Sequence, residues 1–163
     1  MGSGKSTLGK RLASMMSLPF IDLDSEIEKL EGRPVSEIFR TEGEEYFRRV
    51  ESETLHNISP ATGAVVATGG GAPCHGKNLD FMNITGLTVY LKMAPAALAS
   101  RLAASKESRP LIAGLSGEKL LQFIEEKLVE REPYYSKASI VFDGLSADAA
   151  KLKEIIEVMA ANR

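Results

Sequence analysis

The sequence predicts an α/β fold built on a parallel sheet, and three observations predict it. Short apolar runs alternate with stretches of helical periodicity along the chain, as repeated strand–helix units require. The chain opens on Gly2-Ser3-Gly4-Lys5-Ser6-Thr7, the second half of the phosphate-binding loop G-x-x-x-x-G-K-[ST], which joins a strand to a helix. The apolar run Ala64-Val65-Val66-Ala67 is followed almost at once by Gly69-Gly70-Gly71, placing backbone without side chains at the carboxyl end of a buried strand.

Each element follows in order. Leu8, Leu12, Ala13, Met15 and Met16 recur at roughly helical spacing and make the helix behind the phosphate loop. Pro19-Phe20-Ile21-Asp22-Leu23 reads as a short strand ending in carboxylates. Asp24 is expected to cap a helix over about 25–30, stopped by Gly32. A second helical stretch follows Pro34, and a longer one runs over about 43–58 with Phe47, Val50, Leu55 and Ile58 on its apolar side. Leu87-Thr88-Val89-Tyr90-Leu91 is the next strand, then a helix over about 95–104. Positions 105–116 carry charges, Pro110 and Gly114 without periodicity and read as a mobile lid. A helix over about 118–132, a strand at Ile140-Val141-Phe142 and a closing helix capped by Ser146 and ending near Met159 complete the chain. Four strands are visible. A fifth is implied before Met1, because the first glycine of the loop motif falls two residues ahead of it.

Composition limits what such a domain does. The 163 residues suffice for one domain, read as 1–163, that buries roughly 70% of its unfolded surface. Hydrophobic content of 44% and charged content of 26% are ordinary for a globular protein. A net charge of −2 offers no global attraction to nucleic acid or to an anionic membrane, so an anionic substrate must be met by local arginines. The single cysteine, Cys74, excludes an internal disulfide and suits a reducing cytoplasm. No run of 18 apolar residues occurs, and the first residues hold no apolar signal core, so a soluble cytoplasmic protein is expected.

The chemistry resides in a few residues. Gly2 and Gly4 let backbone N–H groups approach phosphate oxygens, and a helix starting near Lys5 aims its dipole at the same anion. Lys5 is placed to bridge β- and γ-phosphates and Ser6 to hold Mg²⁺ through its hydroxyl, which makes the ligand a nucleoside triphosphate with Mg²⁺. Asp22 and Asp24, two apart at a strand end, suit a metal-linked carboxylate and one that orients an alcohol nucleophile; the plain alternative for Asp24 is a helix cap. Arg48 and Arg49 lie about 100° apart on a helix, so one of them at most aims at a given site. Gly69, Gly70 and Gly71 permit close ligand approach, against the alternative of a linker. Arg109, before Pro110, is an arginine that reaches the γ-phosphate on lid closure, or a surface charge. Arg131 taken alone is a surface helix residue. His56, His75 and Cys74 lack metal-ligand spacing and read as structural.

Together these segments resemble one family, the shikimate kinases. Gly2-Ser3-Gly4-Lys5-Ser6-Thr7 is similar to that family's phosphate loop, and Ile21-Asp22-Leu23-Asp24 followed by Ile27-Glu28 to its D-x-D segment. Ile38-Phe39 through Gly43-Glu44 and Phe47-Arg48-Arg49-Val50-Glu51 resemble its substrate-binding segment, expected over about 24–58. Thr68-Gly69-Gly70-Gly71, Ser108-Arg109-Pro110-Leu111 and Arg131-Glu132-Pro133-Tyr134-Tyr135 resemble its glycine triplet, lid and C-terminal arginine motif. The matches span almost the whole chain in the family's order. The resemblance implies a three-layer P-loop kinase fold with a five-stranded parallel sheet, whose first strand precedes Met1, so the natural chain is expected to start upstream.

The resemblance also implies ATP-dependent phosphorylation of the shikimate 3-hydroxyl in aromatic amino-acid synthesis, by a monomer. Catalytic roles fall to Lys5, Asp24 and Arg109. Nucleotide contacts fall to Gly2, Ser3, Gly4, Lys5, Ser6, Thr7, Arg109 and, beside adenine, Arg101. Ser6 and Asp22 serve Mg²⁺. Substrate contacts fall to Asp24, Arg48, Gly69, Gly70, Gly71 and Arg131. The alternatives are a small P-loop kinase of gluconate or a nucleoside monophosphate, or a non-catalytic nucleotide-binding regulator.

Overall fold

The computed structural model describes residues 2–58, 63–104, 112 and 114–162. From the phosphate loop the chain enters α1 (Lys5–Met16), β1 (Phe20–Asp22), α2 (Leu23–Glu31) and α3 (Val35–Asn57). β2 (Val65–Ala67) leads through the glycine triplet and a 3-10 turn (Ala72–Cys74) into α4 (Asn78–Thr85). β3 (Val89–Lys92) and α5 (Pro95–Ala104) precede α6 (Gly117–Tyr135), β4 (Ile140–Asp143) and the closing α7 (Ala149–Ala161).

The four strands form two parallel pairs. β1 pairs with β2 in the register Phe20–Val65, Ile21–Val66 and Asp22–Ala67. β3 pairs with β4 from Val89–Ile140 to Lys92–Asp143. Parallel strands need helical crossovers, and the helices between them supply these. Asp22 and the glycine triplet therefore emerge at the same, carboxyl end of the first pair, where open α/β sheets bind ligands.

Between the pairs the ladder is interrupted. Val65 and Val66 of β2 and Tyr90 and Leu91 of β3 line one cavity of about 530 Å³, with Leu12 of α1 and Leu152 of α7 among its walls. Strand residues that would be fully covered in a continuous sheet are only half-buried here. Parallel flanks and an apolar lining are what a fifth parallel strand requires. Ser3 and Lys5 also line the cavity, so its far end opens at the phosphate loop.

Three apolar clusters hold the layers together. Leu8 and Leu12 of α1 pack with Ile140, Phe142 and Leu152, joining the β3–β4 pair to α7. Leu23, Ile27, Ile38, Phe47 and Val50 form the core under α2 and α3. Met93, Leu98, Leu102, Leu120 and Ile124 lock α5 to α6. Among the described residues no helix is long and apolar enough to cross a membrane.

Several boundaries depart from the sequence reading. α2 starts at Leu23, so Asp22, not Asp24, stands at its N-cap position. Asp148, not Ser146, caps α7 by accepting the Ala150 N–H at 2.8 Å, while Ser146 donates its hydroxyl to Asp143 at 2.6 Å. α6 continues through Pro133 and ends two residues later at Tyr135. The two stretches after Pro34 join as α3 across a kink at Gly43, whose φ of 84° interrupts the helical geometry. α4 was not anticipated. Its sequence Asn78-Leu-Asp-Phe-Met-Asn-Ile-Thr85 is poor in strong helix formers. Tertiary contacts fix it instead: buried Asn78 donates to the Ala72 carbonyl at 3.0 Å and accepts from Ser52 at 2.7 Å.

The interrupted ladder yields a prediction. An apolar, β-branched segment of about five residues joined ahead of Gly2 should run between β2 and β3 and cover their edges. Burying about three of its side chains at about 1.5–3 kcal/mol each should raise the urea midpoint of unfolding. An unchanged midpoint would show that the cavity does not accept a strand.

Candidate active site

Two groups of residues meet at the carboxyl ends of β1 and β2. The first is the phosphate loop. Gly4 holds φ 84°, which an L side chain rarely adopts, and from it the backbone turns directly into α1. No side chain caps that helix start and no acidic residue occupies its first turn. That helix start suits an external anion, with Lys5 at its first position. Ser6 donates its hydroxyl to Asp22 Oδ2 at 2.8 Å, which explains why Asp22 makes no side-chain cap to α2. Arg101 reaches the loop from α5: its Nη1 donates to the Ser3 carbonyl at 3.3 Å.

These groups fit a magnesium nucleotide. A serine hydroxyl and a carboxylate oxygen in contact are hard oxygen ligands, and Mg²⁺ is commonly held by one or two such groups with substrate phosphates and water. No cluster of three or more His, Cys, Asp or Glu residues suited to a metal occurs among the described residues. The Ser6 hydroxyl beside a single carboxylate suits a metal that arrives with phosphate oxygens.

The second group surrounds the glycine triplet. A Cβ on Gly71 would lie 2.5 Å from the Arg48 guanidinium, and one on Gly69 would lie 2.8 Å from Glu51 Oε1 and 3.5 Å from Asp24 Oδ1. A side chain at either position would have to displace these charged groups, so the triplet is packed against them and does not run free as a linker. Arg48 is the arginine that faces the site. Its Nη1 meets Glu51 Oε2 at 2.7 Å, and its Nε and Nη2 meet Glu44 Oε1 at 3.2 and 3.0 Å. Its guanidinium also stands 5.2 Å from the Phe47 ring centroid. Arg49 points elsewhere, 5.1 Å from the Tyr46 ring centroid. Arg131 is buried at the end of α6, where a surface arginine would be the default, and it lines the same cavity as Gly69 and Gly70.

The electrostatics single out two carboxylates. Burial raises the Asp24 pKa and nearby Asp22 raises it further, against the opposing pull of Lys5 and Arg48. Water still reaches Asp24 at the cleft mouth, although protein crowds it on most sides. Glu51 has no exposed surface; burial raises its pKa, Arg48 opposes the rise, and Asp24 adds to it. Its Oε1 has no hydrogen-bond partner among the described residues. Burial would lower the Arg48 pKa, but the paired Glu51 and Glu44 more than offset this and raise it.

The structure thus brings together Lys5, Ser6, Asp22, Asp24, Arg48, Gly69, Gly70, Gly71 and Arg131. It places Arg101 on the phosphate loop. Arg109 and most of the proposed lid, 105–111 and 113, lie outside the described residues. Sequence reasoning assigned no role to Glu44 and Glu51, although their spacing of i−4 and i+3 from Arg48 is the ion-pair spacing of a helix. It also passed over Tyr135, one helical turn after Arg131.

The raised Asp24 pKa has a sign that stability measurements check. A carboxyl group with a higher pKa in the folded state binds more protons there. Its charge therefore costs stability as pH rises from its unfolded value through its folded one. Asp24→Asn should be more resistant to urea than the parent at pH 7, with the margin shrinking as pH falls toward about 4. A margin that stays constant with pH, or a less stable variant, would contradict this account.

Comparison with known proteins agrees with this geometry. The family model described as shikimate kinase matches residues 1–160. The shikimate kinase of Parabacteroides distasonis is 50% identical over 143 residues, covering 88% of this chain and 83% of that one. The shikimate kinase of Bacteroides thetaiotaomicron is 39% identical over 166 residues, covering 97% and 95%. The crystal structure of shikimate kinase from the same organism superposes with a TM-score of 0.91, covering 96% of this chain and 94% of that chain. Shikimate kinase from Acinetobacter baumannii in complex with shikimate gives 0.86 at 32% identity, covering 100% and 90%. A family match along nearly the entire chain, with the phosphate loop and the arginine-flanked glycine triplet in one cleft, makes the protein a member of the shikimate kinase family.

Proposed function

We propose that this protein transfers the terminal phosphoryl group of ATP to the 3-hydroxyl of shikimate, giving shikimate 3-phosphate for aromatic amino-acid (chorismate) synthesis. The observation that carries the proposal is the packing of Gly69 and Gly71 against Asp24, Glu51 and Arg48, next to a loop and helix start built for phosphate. An anion-gripping arginine and a carboxylate suited to a hydroxyl stand within one cleft. That pairing fits a small hydroxylated carboxylic acid better than a nucleotide, which brings a phosphate instead, and the glycine triplet with the two arginine segments favours shikimate over gluconate.

Mg²⁺-bound ATP supplies the phosphoryl group and part of the charge neutralisation when it binds. The chain's own residues do the rest. Gly2, Ser3, Gly4 and Thr7 frame the phosphates with backbone and hydroxyl groups, and Lys5 bridges their oxygens. Ser6 and Asp22 offer the metal's oxygen contacts. Arg48 and Arg131 grip the substrate carboxylate, while Gly69, Gly70 and Gly71 let the ring approach the backbone. Asp24 orients the 3-hydroxyl and takes its proton as the oxygen accepts the phosphoryl group. Its raised pKa makes it a better base than an ordinary aspartate. Arg101 flanks the adenine side, and Arg109 neutralises the transferring group. We read the protein as a monomer acting in the cytoplasm on a small-molecule substrate. Phosphoryl transfer needs positioning and charge stabilisation more than covalent help, and these residues provide both.

The defining measurement is ADP release with shikimate, gluconate and CMP as alternative acceptors. Shikimate should be preferred; equal or better use of gluconate or CMP would overturn the assignment, and no turnover with any acceptor while ATP binds would favour a regulator. Arg48→Ala and Arg131→Ala should each weaken shikimate binding about 10- to 100-fold, the loss of a charge-assisted bond, with ATP binding nearly unchanged. Isothermal titration separates the two ligands, and a folded variant with parental shikimate affinity removes its residue from the site. Asp24→Asn should lower turnover about 10²-fold or more. In the parent, kcat/KM should rise with pH on the acid side through a value above that of an ordinary aspartate. Parental turnover in the variant would exclude Asp24 as the base.

A further inference from the structure

The three carbonyls of the glycine triplet are all held, and one of them is held by a side chain from a distant helix. Gly69 O accepts the Ala72 N–H at 3.2 Å and Gly71 O accepts the Cys74 N–H at 2.9 Å, both within the local turn. Gly70 O instead accepts the hydroxyl of Tyr135, which lies 65 positions later on α6. We infer that Tyr135 is a positioning residue for substrate binding: its hydroxyl sets the plane of the Gly70–Gly71 peptide and so the direction of the Gly71 N–H.

The argument rests on peptide planarity and on what surrounds the tyrosine. A trans peptide directs its N–H opposite to its carbonyl, so fixing Gly70 O toward Tyr135 turns the Gly71 N–H away from α6. Gly71 is the residue pressed against the Arg48 guanidinium, one of the groups read above as gripping the substrate carboxylate. An N–H aimed from this point adds a backbone donor beside that arginine. A free Gly-Gly-Gly segment has the widest backbone choice of any sequence, so an external tie is needed to hold one peptide orientation.

Tyr135 is itself fixed from two further sides. Arg131, four residues earlier and on the same helix face, also interacts with its hydroxyl. The Tyr90 ring of β3 packs against it with centroids 4.8 Å apart, and Tyr90 donates its own hydroxyl to Glu132 at 2.9 Å. Glu132 in turn meets Lys92 at 2.7 Å. One phenol therefore ties the glycine triplet after β2 to Arg131 at the end of α6. Those two elements must keep their spacing if both are to touch the same small acid.

The inference rests on the proposed reading of the substrate site, and its test separates the two. Tyr135→Phe keeps the ring and its stacking and removes only the hydroxyl. It should raise KM for shikimate about 3- to 10-fold, the range of one ordinary hydrogen bond, with KM for ATP unchanged and kcat within about 2-fold. Tyr90→Phe removes the neighbouring hydroxyl that does not touch the triplet, and its KM for shikimate should stay at the parental value. A Tyr135→Phe enzyme with parental shikimate KM overturns the inference, as does an equal rise in Tyr90→Phe, which would signal general loosening. If Arg48→Ala also leaves shikimate binding unchanged, the substrate-site reading fails first. If it weakens binding while Tyr135→Phe does not, only the positioning role fails. The unsubstituted protein gives a check that needs no variant. The Gly71 amide resonance should move when shikimate is added without nucleotide, and an unmoved resonance overturns the inference.

Discussion

A methyl group at position 71 would sit 2.5 Å from the Arg48 guanidinium, closer than any real contact of that kind. The rest of the site depends on this approach of bare backbone to a buried cation. It holds only because Arg48 cannot retreat. Glu44 and Glu51 fix three of its nitrogens from positions one helical turn away on either side, and Phe47 covers its face. Burying an arginine costs several kcal/mol unless it is paired and hydrogen-bonded, and here both conditions are met within a single helix. The glycine triplet then fits around a guanidinium whose place α3 has already set.

The same arrangement explains how a net-acidic chain binds an acid. Charge over the whole molecule offers an anion nothing, whereas one small region gathers Arg48 and Arg131, buried or nearly so, with Asp24 and Glu51, whose pKa values are raised. Each shift has burial as its first cause. The cleft that makes a carboxylate costly to ionise is also the one in which its charge is least screened. Ionising these carboxylates gives up stability at the cleft, the kind of cost often seen where function and folding compete.

The sheet distributes the work. Its first parallel pair ends at Asp22 and leads into the triplet, so register alone brings that carboxylate and the glycine backbone to one edge. The second pair carries Tyr90, whose ring packs on Tyr135, and Lys92, which pairs with Glu132 of α6. Between them lies an apolar cavity that leaves Val65, Val66 and Leu91 half-covered. The two halves of the site are therefore joined by helices and side-chain bonds. The Tyr135 hydroxyl on Gly70 is one such bond, and it crosses from one strand pair's territory to the other's.

What the sequence determined was whatever depends on neighbours a few residues apart. The phosphate loop, with its glycines and its helix start at Lys5, is written in consecutive residues because its geometry is local. The order of strands and helices follows from periodicity, and the family resemblance extended the reading to the Asp, Gly and Arg segments. That one arginine of the adjacent pair would face the site followed from helical phase, but which one did not. Arg48 rather than Arg49 was decided by how α3 packs on its core. The helix starts at Leu23 and Ala149 went to Asp22 and Asp148 because Asp24 lies inside the first turn and Ser146 found Asp143. α4 exists because Asn78 is bonded to Ala72 and Ser52, contacts that no local propensity contains. The depth of Arg131, the pressure of Glu51 on Gly69 and the reach of Tyr135 to Gly70 all join residues far apart in the chain. Their distances are set by packing between elements, a quantity to which every side chain in the core contributes and which no short stretch of sequence encodes.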